Sequence, residues 1–130
     1  MKRTEEHLAL RRKAESRGRR SEWLAIALLL CKAYRILGRR VRTVAGEIDL
    51  VALSPRGTVC FIEVKARSDA LEAALSLGAR QQARIARAAR LFLAQRPQLA
   101  ERAVRFDVIA VAPGTLPQHH RDAWRDEALR

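Results

Sequence analysis

Three side chains with chemical capacity sit close together inside apolar sequence. Asp49 lies in Gly46-Glu47-Ile48-Asp49-Leu50, and Glu63 and Lys65 lie in Phe61-Ile62-Glu63-Val64-Lys65. Charged side chains are seldom placed in such surroundings unless they are paired or hold a metal. Two acids and a lysine at this spacing suit a metal site built for phosphodiester chemistry. Mg²⁺ or Mn²⁺, which take oxygen ligands, would sit between the acids. The metal would lower the pKa of a bound water, and the lysine would neutralise charge developing on phosphate.

The elements that must position these residues are strands. Residues 47–53 and 58–66 are rich in Ile, Val, Leu and Phe, and Pro55-Arg56-Gly57 between them reads as a tight hairpin loop. Gly57 stands where positive φ is most needed. Placing Ser54 opposite Thr58 fixes the register, so Asp49 faces Glu63 and Glu47 faces Lys65. Alternation then puts Glu47, Asp49, Glu63 and Lys65 on one face and Ile48, Leu50, Ile62 and Val64 on the other. Opposed carboxylates, with Cβ atoms roughly 5 Å apart, repel unless a proton or cation sits between them. An ordinary solvated face would instead make Glu47 and Lys65 a surface ion pair. The apolar flanks and the opposition of acid to acid argue against that.

Four segments in this order carry a resemblance: Gly-Arg-Arg-Ser-Glu22-Trp-Leu-Ala, Gly-Glu47-Ile-Asp49-Leu, Phe-Ile-Glu63-Val-Lys65-Ala-Arg67 and Arg105-Phe-Asp107-Val. Together they resemble the YraN-type family of bacterial proteins, which is similar to restriction-endonuclease-like nucleases and to archaeal Holliday-junction resolvases. The resemblance runs over about residues 18–125. It implies an α/β restriction-endonuclease-like fold, with a mixed central sheet flanked by helices. It makes Asp49 and Glu63 metal ligands, Lys65 the catalytic lysine and Glu22 the acid of the first helix; on the functional reading Glu47 and Glu22 would either support the first metal from behind its ligands or hold a second metal. Gln81 falls where many members carry a lysine, which implies a weaker phosphate contact there. Branched DNA is the substrate the resemblance suggests, and a homodimer would suit cleavage of two strands.

The whole chain fits this reading. Its 130 residues, 48% of them hydrophobic, suffice for one domain with a real core. The 26 basic against 14 acidic residues give a net charge of +12, which predicts attraction to nucleic acid, above all DNA. Residues 1–20 read as a basic, flexible arm before a single domain at 21–130. Ser21 reads as the N-cap of a helix at 21–33, which leaves Glu22 a second explanation as an acid favoured by the helix dipole. A strand is expected within 34–44 and a loop with a short helical turn at 67–78. An amphipathic helix at 79–95 is stopped by Pro97. On it Arg80, Arg84 and Arg87 form a basic stripe, either a solvated face or, with Arg67 and Gln81, a phosphate-tracking one. A strand at 103–112 carries Asp107, expected to pair with an arginine or cap an element rather than bind metal. A loop and a helix at 123–129 complete the chain.

Cys31 and Cys60 lie in apolar runs and read as buried free thiols, not a zinc site. His119-His120 reads as an exposed loop pair. The apolar run 24–31 is too short to span a bilayer and no small-x-small cleavage site follows it, so no membrane is expected and the location is cytoplasmic. The expected function is a metal-dependent endonuclease acting on branched DNA. The alternative is a non-catalytic nucleic-acid-binding module or an adaptor in DNA repair or recombination. The acid pair favours the former, because acids repel phosphate.

Overall fold

The computed structural model describes residues 2–126 and 129, with backbone only at residues 2 and 10–17. The elements run α1 (Lys2–Cys31), β1 (Arg35–Thr43), β2 (Gly46–Leu53), β3 (Val59–Lys65), α2 (Ala70–Leu75), α3 (Ala79–Ala94), a 3-10 turn at Pro97–Leu99, β4 (Val104–Ala110) and β5 (Gln118–Trp124). The strands form one sheet in the order β1-β2-β3-β4-β5. β3 and β4 are parallel and the other pairs antiparallel. The parallel pair needs a crossover, which α2 and α3 supply. This is the mixed α/β architecture expected from sequence, compatible with a restriction-endonuclease-like fold. No helix among the described residues is long and apolar enough to cross a membrane.

Each face of the sheet has its own core. Ile48, Val51, Val59, Phe61 and Val108 pack under α2 and α3 against Ile85, Ala88, Ala89 and Phe92. Those α3 residues recur at helical spacing, so one stripe of the helix is buried. Phe61, Phe106 and Trp124 stack side by side across β3, β4 and β5, and Phe92 meets Phe61 edge-on. On the opposite face Leu50, Ala52, Cys60, Ile62 and Ile109 pack against Ala25, Leu29 and Tyr34.

The hairpin is the one expected. Leu50 pairs with Ile62 and Leu53 with Val59, and Ser54 bonds Thr58 through both its backbone and its hydroxyl. Gly57 has φ of 90°. Four other expectations are corrected. Ser21 is not an N-cap, because α1 continues without a break from Lys2. Its first 20 residues contain many good helix formers and no proline, which outweighs one capping residue. The division at residue 20 therefore coincides with no change in secondary structure. Cys31 is exposed, and only Cys60 is buried. Residues 118–124 form an edge strand, so Ala123 and Trp124 do not begin a helix; Glu127, Ala128 and Arg130 of the expected helix lie outside the described residues. His119 is a strand residue whose side chain is only 3% exposed.

His119 is buried because Asp107 needs it. Asp107 is fully buried and accepts two bonds of 2.8 Å from the Arg105 guanidinium. It takes a third at 2.8 Å with His119 Nε2 and a fourth at 2.9 Å from the Asp122 backbone N–H. Lys32 Nζ lies 2.7 Å from His119 Nδ1, and Arg105 donates to the Tyr34 hydroxyl. The network ties β5 and the end of α1 to β4. The arginine partner expected for Asp107 is thus present. Burial alone would raise the Asp107 carboxyl; the bonds from His119, Arg105 and Asp122 outweigh it and hold the group below its usual range. That stability is present above the unfolded carboxylate pKa of about 3.9 and is lost as pH falls through the folded value. Asp107→Asn should cost about 3–5 kcal/mol at pH 7, because Arg105 loses its buried partner. Urea titrations at several acid pH values would check this, with the acid loss of stability expected to be shallower in the variant.

Candidate active site

The site forms where the hairpin ladder stops. Backbone pairing of β2 with β3 ends at Leu50–Ile62. One residue further, Asp49 Oδ2 accepts a 2.8 Å bond from the Val64 N–H. A side-chain carboxylate thus replaces a backbone carbonyl, and it grips the residue between Glu63 and Lys65. Alternation breaks at this point. Ile48 belongs to the core under α3 while Leu50 belongs to the core under α1. The expectation that Ile48 shares a face with Leu50, Ile62 and Val64 is therefore corrected: pairing with β3 has ended, and the ladder with β1 skips Asp49 where Arg40 takes its left-handed backbone.

Asp49 and Glu63 adjoin as the register predicts. Burial first, then the charge of Asp49 and a hydrogen bond to it, push the Glu63 carboxyl far up; Lys65 draws it partly back. Glu63 is 7% exposed, and its Oε1 is buried with no hydrogen-bond partner among the described residues. Buried polar atoms are almost always paired. An unpartnered acid oxygen beside a second carboxylate fits a divalent cation. Mg²⁺ commonly takes one or two carboxylates and fills its remaining positions with water and phosphate oxygens. Among the described residues no three His, Cys, Asp or Glu side chains gather to hold a metal, so an ion here would have the two carboxylates of Asp49 and Glu63 to hold it.

The other predicted acids flank this pair. Two small clefts open beside it. One, about 240 Å³, is lined by Glu47, Glu63, Gln81 and Arg84. The other, about 180 Å³, is lined by Glu22, Asp49, Val64 and Ala66. Glu47 and Asp49 therefore do not line one cleft, as a flat pleat would have had it. Glu47 pairs with Arg42 at 3.5 Å, not with Lys65. Glu22 is buried and receives Arg40 Nε at 2.8 and 3.1 Å. Lys65 is half-buried next to Glu63. Arg84 and Gln81 reach the first cleft, Arg80 and Arg87 are exposed on α3, and Arg67 lies 3.9 Å from Glu72.

Arg40 is the residue that sequence reasoning missed. In the sequence it is one of four arginines, with Arg35, Arg39 and Arg42, that project from the strand expected within 34–44, which Gly38 interrupts. In the structure it faces Glu22 first, then Glu47 and Asp49. It does so from a left-handed backbone, φ 48°, which is strained for a non-glycine residue. The Gly38 interruption two residues earlier was the only hint.

Larger hollows lie elsewhere, about 490 Å³ between β1 and α3, about 450 Å³ between Leu24 and Pro113, and about 320 Å³ beside Trp124. None of the three is lined by Asp49 or Glu63. Shallow clefts around the acid pair suit a polymer lying across the surface better than an engulfed small molecule.

The class is thus a basic, mixed-sheet α/β domain whose β2–β3 ladder ends beside two adjoining acids and a lysine. The model of uncharacterised protein family UPF0102 matches residues 21–111. The chain is 54% identical over 114 residues to UPF0102 protein Mmar10_3014 of Maricaulis maris, covering 88% of this chain and 89% of that protein. It is 46% identical over 117 residues to UPF0102 protein mlr4633 of Mesorhizobium japonicum, covering 89% and 92%. With UPF0102 protein Atu0303 of Agrobacterium fabrum the identity is 46% over 114 residues, covering 88% and 93%. The chain belongs to family UPF0102, the YraN family whose motifs it carries.

The raised Glu63 carboxyl has a stability consequence. An acid whose pKa rises on folding stabilises fully below its unfolded value of about 4.3, and that contribution is lost as pH climbs to the folded value. Glu63→Gln should therefore gain on the parent as pH rises from 5 to 9, by about 1–3 kcal/mol at the alkaline end. Thermal melts without metal across that range would check it; a constant or shrinking difference would count against the burial of this acid.

Proposed function

We propose that this chain is a metal-dependent endonuclease acting on DNA, branched DNA foremost, in the cytoplasm, and that a homodimer cuts paired strands. The carrying observation is the buried Glu63 oxygen with no partner, set against Asp49. That arrangement costs stability, and a fold that needed only to bind would gain nothing from it. Mg²⁺ or Mn²⁺ bound there would supply an activated water and neutralise phosphate charge. Asp49 holds the β3 backbone at Val64, which fixes the direction of Glu63 and Lys65. Lys65 meets negative charge building on the phosphate. Gln81 and Arg84 line the cleft beside Glu63 and hold the flanking phosphates, while Arg80, Arg87 and Arg67 extend that basic track. Glu22 and Glu47 would be further ligands for the metal once their arginines turn to phosphate.

A second reading, a nucleic-acid-binding module or adaptor without catalysis, draws on one specific observation. Arg40 and Arg42 already neutralise Glu22 and Glu47, so part of the acid set is balanced without metal.

Cleavage of linear, flapped and four-way-junction DNA with Mg²⁺ or Mn²⁺, beside Asp49→Ala, separates the two. The proposal expects metal-dependent cleavage that Asp49→Ala abolishes. Lys65→Ala should lose about a hundredfold in rate while its affinity changes little. Mn²⁺ should also raise the melting temperature of the parent but not of Asp49→Ala. Salt-sensitive binding with neither cleavage nor metal stabilisation would favour the module.

A further inference from the structure

Trp23 stands out because the fold does not use it. The other tryptophan, Trp124, stacks on Phe106 at 4.0 Å. Trp23 is 57% exposed on the outward face of α1, and its contact with Arg39, whose guanidinium lies 4.5 Å from the ring centroid, is itself at the surface. Its neighbours are informative. Trp23 follows Glu22 and Arg39 precedes Arg40, so the Trp23–Arg39 pair lies beside the bonded Glu22–Arg40 pair. Glu22 in turn lines a cleft with Asp49.

We propose that Trp23, backed by Arg39, is a stacking platform for an unpaired base, so that the chain selects DNA with single-stranded character next to the acid pair. This rests on the nucleic-acid reading above. Every base has a π-face, and an indole at the rim of a basic groove captures it without reading sequence. An intact duplex keeps its base faces stacked internally and offers the ring nothing. Arg39 adds attraction both to the ring and to the phosphate that accompanies the base.

A second copy of the chain is the competing occupant, because Leu24 and Leu30 are also exposed on α1. Charge decides between them. Arg39 lies over the ring and Arg20 stands three residues before it on α1, both exposed, and the acid adjacent to Trp23, Glu22, is already bonded to Arg40. Self-contact would press like charges together in a chain of net charge +12, whereas a polyanion supplies the opposite sign.

The test is metal-free binding by the full chain, read by tryptophan fluorescence and by anisotropy of labelled DNA. A short oligo-dT strand should quench the Trp23 emission saturably, and a blunt duplex of equal length should not. Trp23→Ala should bind oligo-dT roughly tenfold or more weakly with duplex affinity nearly unchanged, and Trp23→Phe should recover most of the loss. Unchanged oligo-dT affinity in Trp23→Ala overturns the proposal. So does equal loss on both DNAs, or an emission shift that depends on protein concentration without DNA, the mark of self-association. Cleavage plays no part in this readout. Quenching without nuclease activity would therefore fault the catalytic reading alone, and cleavage without quenching this inference alone.

Discussion

The juxtaposition of Asp49 and Glu63 is the constraint around which the rest of the molecule is organised. Two acids next to one another in a sheet interior raise the energy of the fold. Asp49 recovers part of that cost by taking the Val64 N–H, a donor that would otherwise lack a partner at the end of the ladder. The same bond sets the spacing of Glu63 and Lys65. Chain geometry and site geometry therefore have one cause. The break in alternation between Ile48 and Leu50 belongs to it as well, since a strand still fully paired to β3 could not have turned there.

Stability is provided where function does not need it. The aromatic row Phe61–Phe106–Trp124 lies on the α3 face. The Asp107 network lies on the α1 side, where Asp107 pairs with Ile62 in the parallel ladder. Asp107 and Glu63 are both buried acids, and their surroundings drive them in opposite directions. Asp107 receives four donors and stays ionised; Glu63 has an unmatched oxygen and is pushed toward its protonated form. Only the second has capacity left for a ligand.

The surface chemistry is consistent with a long anionic ligand. The clefts beside the acid pair are small, and α3 continues one of them with arginines. Arg40 and Arg42 occupy Glu22 and Glu47 and keep the acids from presenting a bare negative face. A polyanion can then approach a site that has carboxylates at its centre.

The hairpin register was legible in the sequence, because Pro55-Arg56-Gly57 permits few loops and a slip by one residue would turn the apolar side chains to the wrong face. That Asp49 and Glu63 adjoin was legible from the same register. The amphipathic α3 and the ion pair at Asp107 followed from periodicity and from burial cost. Strand β5 was not legible, since Gln118-His119-His120-Arg121-Asp122 has no apolar alternation, and its place comes from Asp107 and Phe106 on the neighbouring strand. The helical start of α1 was hidden by a good capping residue at Ser21. The partition of the acids between two clefts, and the role of Arg40, depended on the sheet's departure from a flat pleat and on a strained backbone angle. Sequence determined which charged residues stand in costly apolar surroundings, because composition and spacing fix local cost. Tertiary structure decided which of them meet, because that depends on where a ladder ends.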